Sequence, residues 1–110
     1  MMMMFEKPKF IVQNGELKMG RVVAHEELAG DNIDDVKGGG LWDYDPESDT
    51  LYLYAKSFQF GTVTPEDLKD VWVRPSLEKS TIYFSTEMHL DFAKQNCILI
   101  QDLNEDEANN

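Results

Sequence analysis

A single α+β domain, with a mostly antiparallel sheet and one or two short helices packed on one face, is what this chain of 110 residues predicts. Three observations lead there. Asn14-Gly15 stands between two β-favouring segments, a strong signal for a hairpin closed by a two-residue type I′ turn. Leu41 to Asp45 and Thr50 to Tyr54 flank Pro46-Glu47-Ser48-Asp49 and read as a second hairpin. Thr64-Pro65-Glu66-Asp67 is a helix start, yet nothing in the chain alternates strands with long helices as a doubly wound sheet requires.

The elements follow in order. Residues 1–7 are expected to be a frayed N-terminus, and Glu6, Lys7 and Pro8 cut the apolar start Met1 to Phe5 short of the roughly 7–15 residues of a signal-peptide core. Pairing outward from Asn14-Gly15 sets Val12 opposite Leu17 and Phe10 opposite Met19 on an apolar face, with Ile11 and Lys18 on the other. Gly20 then marks a bulge or bend. Ala24 to Leu28 is long enough for one helical turn closed by Gly30, after which Asp31, Asn32, Asp34 and Asp35 form a polar loop running into Gly38-Gly39-Gly40.

In the second hairpin an even-numbered loop puts Tyr44 opposite Leu51 and Trp42 opposite Leu53, so Trp42 and Tyr44 are expected in the core. Leu41, Asp43, Tyr52 and Tyr54 are left on a mixed face, which is either covered by a helix, lined by tyrosines lying flat with their hydroxyls in water, or a protein contact. Thr64 caps a helix that carries Leu68, Val71 and Trp72 on one side and stops before Arg74-Pro75. Thr81 to Phe84 reads as a strand. Ser85 or Thr86 can cap a further helix to about Asn96, although Met88, Leu90 and Phe92 alternate with polar residues and would also suit a strand. Cys97 to Ile100 is a continuous apolar run, most simply a buried strand, so the domain spans residues 8–101 and an acidic flexible tail covers 102–110.

With 21 acidic and 10 basic side chains the net charge is −11, which argues against direct nucleic-acid binding, because that binding is driven by Lys and Arg displacing counterions from phosphates. Residues 26–49 concentrate the charge, with nine acids against one base. The single Cys97 cannot form an internal disulfide, so a reducing, cytoplasmic setting is expected. No apolar run approaches the ~18–20 residues of a membrane helix, and no membrane partner is expected.

Chemistry-bearing patterns are few. Asp43, Asp45, Glu47 and Asp49 alternate like calcium-loop ligands, but an EF-hand loop counted from Asp43 needs glycine and glutamate where Ser48 and Tyr54 stand. The bland alternative is a solvated hairpin tip. His25, beside Glu26 and Glu27, and His89, near Asp91, would need to converge with a carboxylate to hold a metal; otherwise each is an exposed residue on a helix or turn. Lys37-Gly38-Gly39-Gly40 lacks the Gly-Lys-Ser/Thr ending and the following helix of a phosphate loop, so the glycines are expected to allow positive φ or a close approach to another segment as the chain enters the second hairpin. Cys97, in an apolar run with no adjacent base, reads as an inert core thiol. No cofactor is indicated.

The expectation is therefore an interaction or regulatory module without catalytic activity. Its candidate surface is Leu41, Asp43, Tyr52 and Tyr54 with the acids Asp45, Glu47 and Asp49, facing a basic protein partner or a second copy in a homodimer. The competing expectation is a small metal-dependent enzyme or cation-binding module built from His25, His89 and the acids of residues 31–49.

Overall fold

The computed structural model describes residues 5–103. Six strands form one sheet in the order β2-β1-β3-β4-β5-β6, where β1 is Lys7–Gln13, β2 Glu16–Val22, β3 Val36–Asp45, β4 Thr50–Tyr54, β5 Thr81–Phe84 and β6 Ile98–Leu99. Every neighbouring pair is antiparallel except β4 and β5. Short helices α1 (Glu26–Ala29), α2 (Pro65–Leu68) and α3 (Leu90–Gln95), a 3-10 turn at Pro75–Leu77 and a helical turn over residues 100–103 join the sheet among the described residues, an α+β fold of the class the sequence predicts.

Both hairpins pair in the expected register, with Phe10 against Met19, Val12 against Leu17, Trp42 against Leu53 and Tyr44 against Leu51. Asn14 and Gly15 take the positive φ values, 53° and 74°, that a type I′ turn demands. Side-chain alternation then builds one core on one face: Phe10, Val12, Leu17, Leu51, Leu53, Ile82 and Phe84 meet Val63, Leu68 and Ile100. Because parallel strands cannot be joined by a tight turn, residues 55–80 cross over between β4 and β5 and supply the covering layer. The opposite face receives α1, whose Leu28 and His25 lie against Gly20 and Gly39, and α3, which packs on β4.

Several local expectations are overturned. Gly38-Gly39-Gly40 makes the expected close approach to other segments, but as the buried centre of β3 and not the end of a loop, paired with Val12, Ile11 and Phe10 of β1. A Cβ on Gly39 would come within 2.4 Å of the Phe10 carbonyl oxygen, and one on Gly40 within 2.2 Å of that of Tyr54, so the strand fits only without side chains. Gly20 makes no bulge; its bare Cα admits Leu28, and the irregularity falls instead between Val12 and Gln13. The helix from Pro65 has the predicted Thr64 cap, with a reciprocal capping box to Asp67, but ends at Leu68. Asp70 turns to φ 59°, and Trp72 pairs with the first hairpin instead, its amide reaching Gly15 at 2.7 Å and its carbonyl taking the Leu17 amide at 2.8 Å.

The helix expected from Ser85 or Thr86 begins only at Leu90, after His89. The Cys97 to Ile100 run is a two-residue edge strand, Ile98–Leu99, with Ile98 41% exposed, because among the described residues nothing pairs beyond β6. At the ends, Lys7 already pairs with Val22, and Leu103, in a helical turn over residues 100–103, packs against the core. The rest of the expected frayed start and acidic tail, residues 1–4 and 104–110, lies outside the described residues.

Candidate functional site

Strand alternation sends Leu41, Asp43 and Asp45 of β3 and Tyr52 and Tyr54 of β4 to the sheet face away from the core, all partly exposed. Register extends this group across four strands, since Asp43 stands beside Tyr52, Tyr52 beside Tyr83 and Tyr83 beside Leu99. Tyr52 and Tyr83 stack with centroids 5.6 Å apart and planes at 17°, and the Lys94 ammonium of α3 lies 5.3 Å from the Tyr52 centroid. Burial, with the Asp43 carboxylate adding to it, raises the Tyr54 hydroxyl above its usual pKa, so this phenol stays a neutral donor.

The alternating acids of the hairpin tip do separate jobs. Asp45 accepts the Glu47 amide and the Ser48 hydroxyl, both at 3.0 Å, which closes the turn. Asp49 accepts the Ser80 and Tyr44 hydroxyls, each at 2.6 Å, and its own carbonyl takes the Thr81 amide at 3.1 Å. Ser80, then Tyr44, hold the Asp49 carboxyl below its ordinary pKa, while the bond to Asp49 raises Tyr44. Asp49 thus fastens the tip to β5 on the side opposite Tyr52 and is not grouped with the other candidate surface residues. Glu47 is exposed at the turn.

Trp42 and Tyr44, expected in the core, are only half-buried and 38% exposed. They line a cleft of about 310 Å³ with Met19, Arg74 and Leu77, because β3 runs past the start of β1 and leaves this end of the face open. The Trp42 indole N–H donates to the Gly20 carbonyl at 3.3 Å, and the Arg21 guanidinium lies 5.3 Å from its ring centroid.

The acidic stretch of residues 26–49 is divided by the fold. Asp35 accepts the Asn14 side-chain amide at 3.1 Å and Gln13 donates to the Asn32 carbonyl at 2.5 Å, so the loop acids sit at the first hairpin turn. The tip acids lie at the other end of ten-residue β3, about 30 Å away at the usual rise per residue and several screening lengths apart.

His25 and His89 do not form a site together. His25 is 9% exposed rather than solvent-facing; its Nε2–H donates to the buried Gly40 carbonyl at 2.8 Å, and desolvation lowers its pKa below 6.5. His89 is exposed before α3, where it meets Phe92 edge-on. Among the described residues, no three of His, Cys, Asp and Glu stand close enough to hold a metal ion. Cys97 is partly exposed and not a core thiol, because it precedes the edge strand β6; partial burial pushes its pKa up, and the thiol donates weakly to the Lys94 carbonyl at 3.8 Å.

One constellation escapes a reading of the sequence. Lys7, Lys9 and Lys56 line a cleft of about 330 Å³ beside His25, walled by Leu41, Phe58 and Met88. The alternation of Lys7 and Lys9 on one strand face was the available signal; Lys56, His25 and Phe58 join them only through tertiary contacts. No family model, curated protein or solved structure matches this chain.

Proposed function

We propose that this chain is a non-catalytic interaction module whose protein partner docks on the sheet face formed by Leu41, Asp43, Tyr52 and Tyr54. The observation behind this reading is the aromatic row itself: Tyr52, against Lys94 of α3, and Tyr54 stand partly exposed, with Asp43 inside the row and Glu47 exposed at the hairpin turn. Such a patch buries aromatic area at modest entropic cost, while its carboxylates draw a basic partner in. Steering acts on association and aromatic burial on dissociation.

Affinity capture from native extract, with the wild-type chain and the Tyr52→Ser/Tyr54→Ser variant run side by side, tests the reading once circular dichroism shows both folded. Protein retained by the wild type, lost from the variant and eluted progressively by salt is the expected result. An identical bound set on both chains removes the reading. Sedimentation separates a second copy from a different partner, since self-association abolished by the same variant makes the occupant a homodimer mate.

A further inference from the structure

On the same sheet face but at its other end, the cleft beside α1 has a composition unlike the rest of the molecule. Three of the chain's ten Lys and Arg residues, Lys7, Lys9 and Lys56, line it, and among the described residues no carboxylate does, although acids outnumber bases two to one overall. The Lys9 ammonium donates to the Val23 carbonyl, whereas the exposed ammonium groups of Lys7 and Lys56 have no hydrogen bond or ion pair among the described residues. Glu26, beside the rim, is engaged by the Gln59 side chain at 3.4 Å.

Apart from His25 and Gln59 the remaining lining is apolar, and the turn that carries Phe58 is held by backbone bonds. Phe58 is 99% exposed, yet it sits on a turn closed by reciprocal bonds between Ser57 and Gly61, 3.2 and 2.8 Å, and tied to β3 through the Gly39 amide at 3.0 Å. Met88, 46% exposed, faces the same space. An uncovered phenyl ring on a backbone-anchored turn, beside unpaired ammonium groups, matches an apolar body joined to an anionic head. Its size lies within the range of small-ligand sites.

We propose that this cleft binds a small amphipathic carboxylate, an unbranched apolar chain with one anionic head, the head among Lys7, Lys9 and Lys56 and the chain against Leu41, Phe58 and Met88. A free molecule fits better than an anionic bilayer. The cleft is concave, and a membrane surface would meet the repulsion of a chain at −11, whereas a small ligand feels mainly the local field. His25, with Nε2–H given to Gly40, presents a neutral ring and so adds a reporter to the wall. The inference stands apart from the proposed docking face, with which it shares only Leu41.

Octanoate titrated into the full chain and followed by NMR tests this. Saturable shifts of the His25 Cε1–H and the Phe58 ring protons are expected, with 1-octanol, the same chain length without the charge, binding about tenfold or more weakly. The Lys7→Gln/Lys56→Gln variant alters two exposed side chains and should keep its thermal unfolding while losing octanoate affinity by a similar factor and octanol affinity not at all. Equal binding of octanoate and octanol, undiminished octanoate binding by the double variant, or no saturable shift at millimolar ligand overturns the proposal. So does co-sedimentation with phosphatidylserine vesicles by a chain that fails to bind octanoate, which would make the patch a membrane contact.

Discussion

His25 shows how one side chain ties stability to pH. The Gly40 carbonyl can only accept, so Nε2 carries the proton, and burial, opposed by that bond and aided by Lys9, keeps the ring neutral. Its folded pKa is thus below the 6.5 it has when unfolded, and between the two values the unfolded chain binds more protons. Stability from this group is complete above 6.5 and is lost as pH falls through the folded value. Urea midpoints are expected to decline as pH drops from neutral into this window, and the decline should flatten in His25→Gln, whose amide can still donate to Gly40. A parallel decline in both proteins would assign it to other groups. Periodicity had no means of locating this histidine. Its burial comes from Gly39, which lets the imidazole lie 3.0 Å from where a Cβ would be. The candidate acids are similar: alternation singled out Asp45 and Asp49, but which of them a turn amide or the Ser80 hydroxyl would occupy depends on neighbours 2 to 31 residues away.

Among the elements, β3 carries the largest departure from expectation. Three consecutive glycines are turn formers by composition, and only the approach of β1 on one side and of Tyr54 and residues 61–63 on the other makes them strand residues. Gly40→Ala places a methyl against the Tyr54 carbonyl, which is backbone and cannot step aside, so a loss of at least about 3 kcal/mol is expected, read as a fall in urea midpoint. A loss below 1 kcal/mol would mean that β3 and β4 separate easily there. The α2 segment failed differently. Thr64, Pro65 and Asp67 form the cap that their types announce, but Val71, Trp72 and Val73 are poor helix formers, and the open edge of β2 offers their backbone a partner. The hairpins were legible because turn and alternation agree locally. Elements that depend on a distant partner were not.

At the scale of the whole molecule, the two sheet edges are managed by different means. Along β2, Trp72 pairs with the backbone and the Arg74 guanidinium donates to the Met19 carbonyl at 2.9 Å, while β6 is only two residues long. Fold class and hairpin register followed from pattern, but the division of the acidic stretch did not, since distance along a strand is not visible in a charge count. Folding should be polarised in the same way. β1, β2, β3 and β4 pair through connections shorter than the crossover of residues 55–80, whose closure must precede the β4 to β5 pairing. Val12→Ala should therefore mainly slow folding and Ile82→Ala mainly speed unfolding, as read from the two arms of a denaturant chevron. The reverse pattern would place the nucleus at β5. The strand order has a further consequence for synthesis. After the first hairpin, each new strand joins the same growing edge and none is inserted between two already paired, so the sheet can assemble in the order in which the ribosome releases it.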